Sequence, residues 1–340
     1  MGTRFRKSLG LGKGARITVG KRGVSGSVGI PGFRMSVHSS GRVTRTVGVP
    51  GTGLYSVSRV GGGRTASGRA VQTGAASYQL PKPGMFAGKA EKRYYEGVVA
   101  MVQRNDTAAV QAFIEAAGDP TVPSAHLLAA VVAARSGAEN AVVRPHLEAA
   151  LASDEPMPDH LQMKYLLPLS LSVRITSQIA SEFPIDPVGG ALMLAEVYQA
   201  DGRLEEAIGL VQRLAEIAPD NPVIRLSLCD LLLEDGDYEG VLEASAGAVN
   251  DGDLGVATLH LRGAALFGLG QPGAAAEAFT AALAKTAGRD AALQTIIRLD
   301  RGIAYEGAGN ARKARTDYER VVATDPANAD ARERLAALAL

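Results

Sequence analysis

Hydrophobic positions along this chain change period more than once. Between residues 15 and 58, short runs rich in Val, Ile, Thr and Ser (Arg16–Val19, Val24–Ile30, Arg34–Val37, Val43–Val47, Leu54–Ser58) are separated by Gly20-Lys21-Arg22-Gly23, Pro31-Gly32, Ser39-Ser40-Gly41 and Pro50-Gly51-Thr52-Gly53. Such runs between such breakers predict a meander of short antiparallel strands. The phrase Val28-Gly29-Ile30-Pro31-Gly32 returns as Val47-Gly48-Val49-Pro50-Gly51, which makes one unit a hairpin. From 60 to 88 the chain holds Gly61-Gly62-Gly63, small polar residues and Pro81-Lys82-Pro83-Gly84, too little apolar surface to offset ordering, and a flexible linker is expected. Beyond Lys89 the period becomes helical. Lys89–Gln103 with Thr107–Ala117, and Ser124–Ser136 with Ala141–Ala152, read as helix pairs. Residues 169–176 then alternate: Leu169, Leu171, Val173 and Ile175 against Ser170, Ser172, Arg174 and Thr176. With Ile179 to Ile185 this predicts a β-hairpin, a Pro-kinked helix being the alternative.

After residue 188 the pattern repeats. Gly202, Gly236 and Gly270 are 34 residues apart and Gly309 follows after 39. Registered on them, Ala195, Cys229, Gly263 and Gly302 form a column of small residues, and Tyr198, Leu232, Leu266 and Tyr305 one of large residues. Ala207, Val241, Ala275 and Ala314 lie past the turn, with Val211, Ser245, Phe279 and Tyr318 one helical turn later. Pro219 and Pro326 close their repeats. These columns resemble the tetratricopeptide repeat, although Ala191 and Leu259 stand where that family usually has Trp, and Arg262 and Arg301 where it usually has Leu. The resemblance implies a solenoid of helix pairs over 188–340, ending in a capping helix from 329, with degenerate repeats over 89–168 and a hairpin connection over 169–187. The expected class is therefore α+β multidomain: an all-β head over 1–59, a linker over 60–88, and an all-α body interrupted by one hairpin.

Charge divides the chain at the same place. Residues 1–90 hold 15 Lys and Arg, no Asp or Glu, and 20 of the 40 glycines; residues 91–340 hold 21 basic and all 35 acidic residues. The net +1 thus joins a segment at +15 to one at −14. Phe5-Arg6-Lys7-Ser8, Gly12-Lys13-Gly14, the Gly20–Ser25 turn, Ser27-Val28-Gly29 and Gly48-Val49-Pro50-Gly51-Thr52-Gly53-Leu54 resemble the bacterial domain of unknown function 4236 over about residues 1–58. That resemblance implies a β domain and no activity. Arg4, Arg6, Lys7, Lys13, Arg16, Lys21 and Arg22 are candidate anion-binding residues, since cations without anions attract phosphate. Stacking aromatics are few (Phe5, Phe33, Tyr55), so nucleic acid is not favoured, and a charged rim guarding strand edges is the plainer reading. Gly12-Lys13-Gly14-Ala15 lacks the spacing and hydroxyl of a phosphate-binding loop.

Catalytic constellations are not evident. His38, His126, His146, His160 and His260 are dispersed, without two on one helix face at metal-binding spacing, and no metal or cofactor is expected. Cys229, the single cysteine, falls in a packing column and excludes an intrachain disulfide. No apolar stretch reaches the length of a membrane span, and the basic start runs into glycines rather than an apolar core, so a cytoplasmic protein is expected. The tetratricopeptide resemblance places the groove on the first helix of each pair, at Leu192, Glu196, Gln199, Leu226, Asp230, Leu233, Glu234, His260, Phe267, Leu299, Ile303 and Glu306. Four carboxylates and no cation stand there, which implies a basic or apolar protein segment as partner. The expectation is a noncatalytic interaction scaffold, one candidate ligand being its own basic head at high effective concentration. The alternatives are an adaptor that binds nucleic acid or an anionic surface through the head, and self-assembly into a homo-oligomer through open strand edges.

Overall fold

The computed structural model describes residues 80–165 and 170–338 and, ahead of Leu80, only the backbone of six strands. The chain divides into two units, Met1–Leu80 and Pro81–Leu340. In the first, β1 (Arg6–Gly10), β2 (Ala15–Gly20), β3 (Gly23–Ile30), β4 (Phe33–His38), β5 (Val43–Gly48) and β6 (Tyr55–Val60) pair as antiparallel neighbours in chain order. The turns between them and every side chain of residues 1–79 lie outside the described residues. The fold expected for 1–59, the linker as far as residue 79 and the seven anion-binding candidates fall there and remain expectations.

The second unit is a stack of antiparallel helix pairs. These are α1 (Lys89–Val102) with α2 (Asp106–Ala116), α3 (Pro123–Arg135) with α4 (Asn140–Leu151), and α6 (Pro187–Ala200) with α7 (Leu204–Ile217). Next come α8 (Pro222–Asp235) with α9 (Tyr238–Ala244), α10 (Gly252–Gly268) with α11 (Pro272–Ala282), α12 (Ala291–Gly307) with α13 (Ala311–Thr324), and then α14 (Ala329–Ala337). Sequence sets many of the starts. Asp186, Asn221, Asp237, Asp290, Asn310 and Asn328 each cap a helix by accepting from a backbone N–H two or three residues on, and Pro187 and Pro222 stand at first helical positions. Such a cap satisfies an amide that has no partner inside the helix, and proline there loses nothing because its missing N–H would be unpaired.

First helices end on a left-handed residue. Gly137, Gly202, Gly236, Gly270 and Gly309 have φ between 72° and 80°, and Arg104 occupies the same place in the first pair at 61°. Seven residues before each lies the small column, now extended to Gly97 and Ala130, and sixteen residues beyond it lies the second-helix column, Phe113, His146, Val211, Ser245, Phe279 and Tyr318. The two columns touch. A Cβ on Gly97 would meet the Phe113 ring at 2.8 Å, and one on Gly302 the Tyr318 ring at 2.5 Å. Phe113, Phe279 and Tyr318 are buried, and each contributes about 1.5–3 kcal/mol by leaving water. The same spacing of positions runs through the helix pairs of 89–151.

Between α4 and α6 the chain makes an excursion. A short helix, α5 (His160–Tyr165), which the sequence pattern does not signal, leads to strands β7 (Ser170–Arg174) and β8 (Ala180–Pro184). They pair antiparallel, Leu171 with Phe183 and Val173 with Ser181, and Leu171, Val173 and Ile175 are buried while Ser172 and Arg174 are exposed. Of the two readings of this segment, the hairpin is the one that forms. The stack runs on across it because α4 packs directly on α6. Tyr198 Oη donates to Glu148 at 2.9 Å there, and Arg144 pairs with Asp201 at 2.5 Å. Among the described residues no helix is long and apolar enough to cross a membrane.

Candidate functional site

First helices of successive pairs touch one another: α6 meets α8, α8 meets α10, and α10 meets α12. They form a continuous row, which is where the repeat resemblance places a ligand. Polar side chains bridge it. Gln199 on α6 donates to Glu234 on α8, and Asp230 on α8 also accepts from Gln199. Further along, His260 on α10 and Asp300 on α12 are joined Nε2 to Oδ2 at 2.5 Å, with the His260 ring 5.7 Å from that of Phe279.

Two carboxyls in the row are held partly out of water. Burial pushes Glu196 up to about 7, against the opposing pull of the Arg174 backbone N–H and charge on β7. Burial likewise pushes Asp230 up to about 6, the Gln199 hydrogen bond opposing and the nearby Glu234 charge adding to the rise. Desolvation disfavours the ionised form in both, so each would be relieved by an approaching cation.

The groove candidates do not all face one way. Leu192 and Leu226 are 1% and 0% exposed and belong to the core, because α6 and α8 are buried on most of their circumference. Glu306 turns away from the row: its Oε2 accepts from Tyr318 Oη at 2.7 Å on α13 and from Arg334 at 3.0 Å on α14. Both corrections share a cause. A family column fixes where a Cα lies, whereas neighbours fix what the side chain does. Gln199, Asp230, Leu233, His260, Leu299 and Ile303 are half-buried, Glu234 is exposed, and Phe267 is 41% exposed. The sequence also gave no cue to Arg174, which reaches Glu196 only through the hairpin. Asp300 lay one residue from a named position and was legible only by pairing α10 with α12.

The excursion engages first helices too. Glu91 on α1 accepts from Lys164 and from Tyr165 Oη, at 2.5 and 2.8 Å. Asp159 accepts from the Ser124 backbone N–H at the start of α3, at 2.9 Å, and β7 and β8 pack on α6. The chain's own hairpin thus contacts the row at α6.

For chemistry this face offers little. Burial pushes the Cys229 thiol up to about 12, far from a thiolate nucleophile at neutral pH. Among the described residues, no three His, Cys, Asp or Glu side chains converge as a metal site.

This geometry defines a tetratricopeptide-type helical-repeat solenoid, and comparison with known proteins agrees. Residues 198–247 and 299–340 each match a tetratricopeptide repeat family, and residues 3–57 match the family described as protein of unknown function (DUF4236). No curated protein matches the chain. Among solved structures it is similar to the N-terminal domain of the EccA1 ATPase from the ESX-1 secretion system of Mycobacterium tuberculosis. That likeness has 18% identity, covers 74% of this chain and 88% of that one, and has a TM-score of 0.51. Weaker likenesses are to PilW, a type IV pilus biogenesis factor (14% identity, 72% and 98% covered, TM-score 0.45), and to BtubC from P. vanneervenii (16%, 68% and 88%, 0.43). The chain thus carries a segment that matches DUF4236 ahead of a helical-repeat body, two segments of which match tetratricopeptide repeats.

Proposed function

We propose that the body is a noncatalytic scaffold that binds a protein partner along the first-helix row from α8 to α12, and that the bound segment is basic or apolar. Tetratricopeptide repeats bind protein partners, and the observation that carries the chemistry is Asp230. Its carboxyl is pushed up to about 6 by burial, sits beside Glu234, and is helped only by the neutral Gln199. A partner Lys or Arg would stabilise its ionised form against the cost of burial, and a partner carboxylate would raise that cost further. The exposed ring of Phe267 offers an apolar anchor on the next helix of the row. On this reading the protein works in the cytoplasm, and its own residues 1–90 are one basic segment that the face would accept, within one chain or between two.

The test is selection from a peptide array of graded charge by the full-length protein. Wild type is expected to retain basic and apolar peptides, less so as salt rises. Glu234→Lys combined with Asp230→Asn should lose the basic peptides and gain acidic ones. Identical selection by both proteins would end the proposal.

A second reading draws on the 15 cations ahead of Glu91: the head as an anchor on nucleic acid or another polyanion. Retention of DNA and RNA by the full chain at two salt concentrations tests it, with loss of retention on replacing Arg4, Arg6, Lys7, Lys13, Arg16, Lys21 and Arg22 as the expected result.

A further inference from the structure

The α3–α4 pair holds two imidazoles that the repeat register brings together. In an antiparallel helix pair, residues equally far from the turn face each other, and His126 and His146 each lie ten residues from Ser136. His146 occupies the second-helix column that carries Val211, Ser245, Phe279 and Tyr318 elsewhere. His126 stands in the first-helix column of Ala191, Arg225, Leu259 and Arg298. In none of those later pairs do both columns hold metal-ligating side chains.

Their Nδ1 atoms are 3.1 Å apart, with ring centroids at 5.4 Å and planes inclined by 31°. A hydrogen bond at that distance uses one N–H and one lone pair. The arrangement also suits a shared cation. Two imidazole nitrogens bound to one zinc at about 2.0–2.1 Å in tetrahedral geometry stand roughly 3.3–3.4 Å apart. Ligation requires the nitrogens to part by a few tenths of an ångström and each ring to turn by roughly 35°, so that the two lone pairs converge on one point instead of facing each other.

We infer that His126 and His146 form a two-imidazole site for a divalent transition-metal ion of borderline softness, zinc being the representative. The hydrogen-bonded ring changes tautomer, its proton moving from Nδ1 to Nε2, and both Nδ1 lone pairs then face the ion. Two coordination positions remain for water or for a side chain of a bound partner. The rings are half-buried. Each is carried by a helix, and α3 is anchored by the buried Leu127, Leu128, Ala129 and Ala130, so the two ligands are preorganised. The dispersed spacing of the histidines concealed this, because the pair spans a turn instead of one helix face.

The test is titration of tag-free full-length protein with zinc chloride at pH 7.5, followed by calorimetry. One saturable equivalent is expected, along with a rise in melting temperature as zinc is added. His126→Gln and His146→Gln should each weaken binding by at least about tenfold, the lower end of what losing even an outer-shell group costs. The exposed His160, replaced by Gln, should leave binding unchanged. Should either pair variant fold poorly, copper(II) on the wild type gives an independent readout: its electron paramagnetic resonance should show superhyperfine coupling to two ring nitrogens. Absence of saturable zinc binding, zinc affinity indifferent to both pair variants, or a copper spectrum without coupled nitrogen overturns the site and leaves a hydrogen-bonded pair.

Discussion

Arg104 shows how a single residue reports the register. It is the only non-glycine with positive φ among the described residues, and it stands where five other first helices end on glycine. A left-handed backbone costs an L-residue about 1–2 kcal/mol, partly offset by the entropy a glycine adds to the unfolded chain. Arg104→Gly is therefore expected to stabilise the protein by roughly 0.5–1 kcal/mol, read as a higher denaturation midpoint. Gly302→Ala is expected to do the reverse, by about 1–3 kcal/mol, because its methyl would lie 2.5 Å from the Tyr318 ring. An unchanged midpoint for Gly302→Ala would contradict the close approach. These small-on-aromatic contacts were legible as columns of residues from 195 onward. Gly97 with Phe113 was not, because Arg104 hides the glycine that would have marked the turn.

At the scale of elements, alternation and column register carried most of the reading, and packing partners carried what they missed. The hairpin of β7 and β8 was legible because Leu171, Val173 and Ile175 alternate with polar residues, whereas α5, six residues and under two turns long, is too short to leave a period. Neither signal says that the hairpin lands on α6 beside Glu196. Arg262 and Arg301, which depart from the family's usual Leu, are explained only by their partners. Arg262 donates to the Leu242 carbonyl at 2.8 Å. Arg301 grips Asp317 on α13 through two hydrogen bonds, at 2.8 and 2.7 Å, with 13% and 3% of the two side chains exposed. Removing one member of such a pair strands the other's charge, so Asp317→Ala is expected to cost about 3–5 kcal/mol. Asp317→Ala with Arg301→Leu should recover part of it, and a double-mutant cycle on thermal stability measures the coupling. Strict additivity of the two losses would show that the pair is not coupled.

Across the whole molecule, the charge break at Glu91 and the carboxyls of the first-helix row belong to one argument about partners. Glu196 and Asp230 are raised to about 7 and about 6 from ordinary values near 4.5 and 3.8. The folded state therefore binds more protons than the unfolded state between those limits, and their contribution to stability is full below about pH 4 and is lost as pH rises through 6 and 7. His126 and His146, whose proton affinity is lowered, push the other way below about pH 6.5. The informative quantity is thus the difference between wild type and the Glu196→Gln, Asp230→Asn double variant: wild type should lose stability relative to it from pH 5 to 8. A difference that is flat with pH would contradict the buried carboxyls. The central claim, that a protein partner lies on the first-helix row, is tested most directly by photo-crosslinking from two positions in the full chain. Phe267, on α10, is 41% exposed, and Ile217, at the end of the second helix α7, is 79% exposed. A photoreactive residue at 267 is expected to crosslink a basic or apolar segment of the partner, and one at 217 to crosslink nothing specific despite its greater exposure. Crosslinking from 217 with none from 267 would place the partner on the other side of the stack and contradict the account.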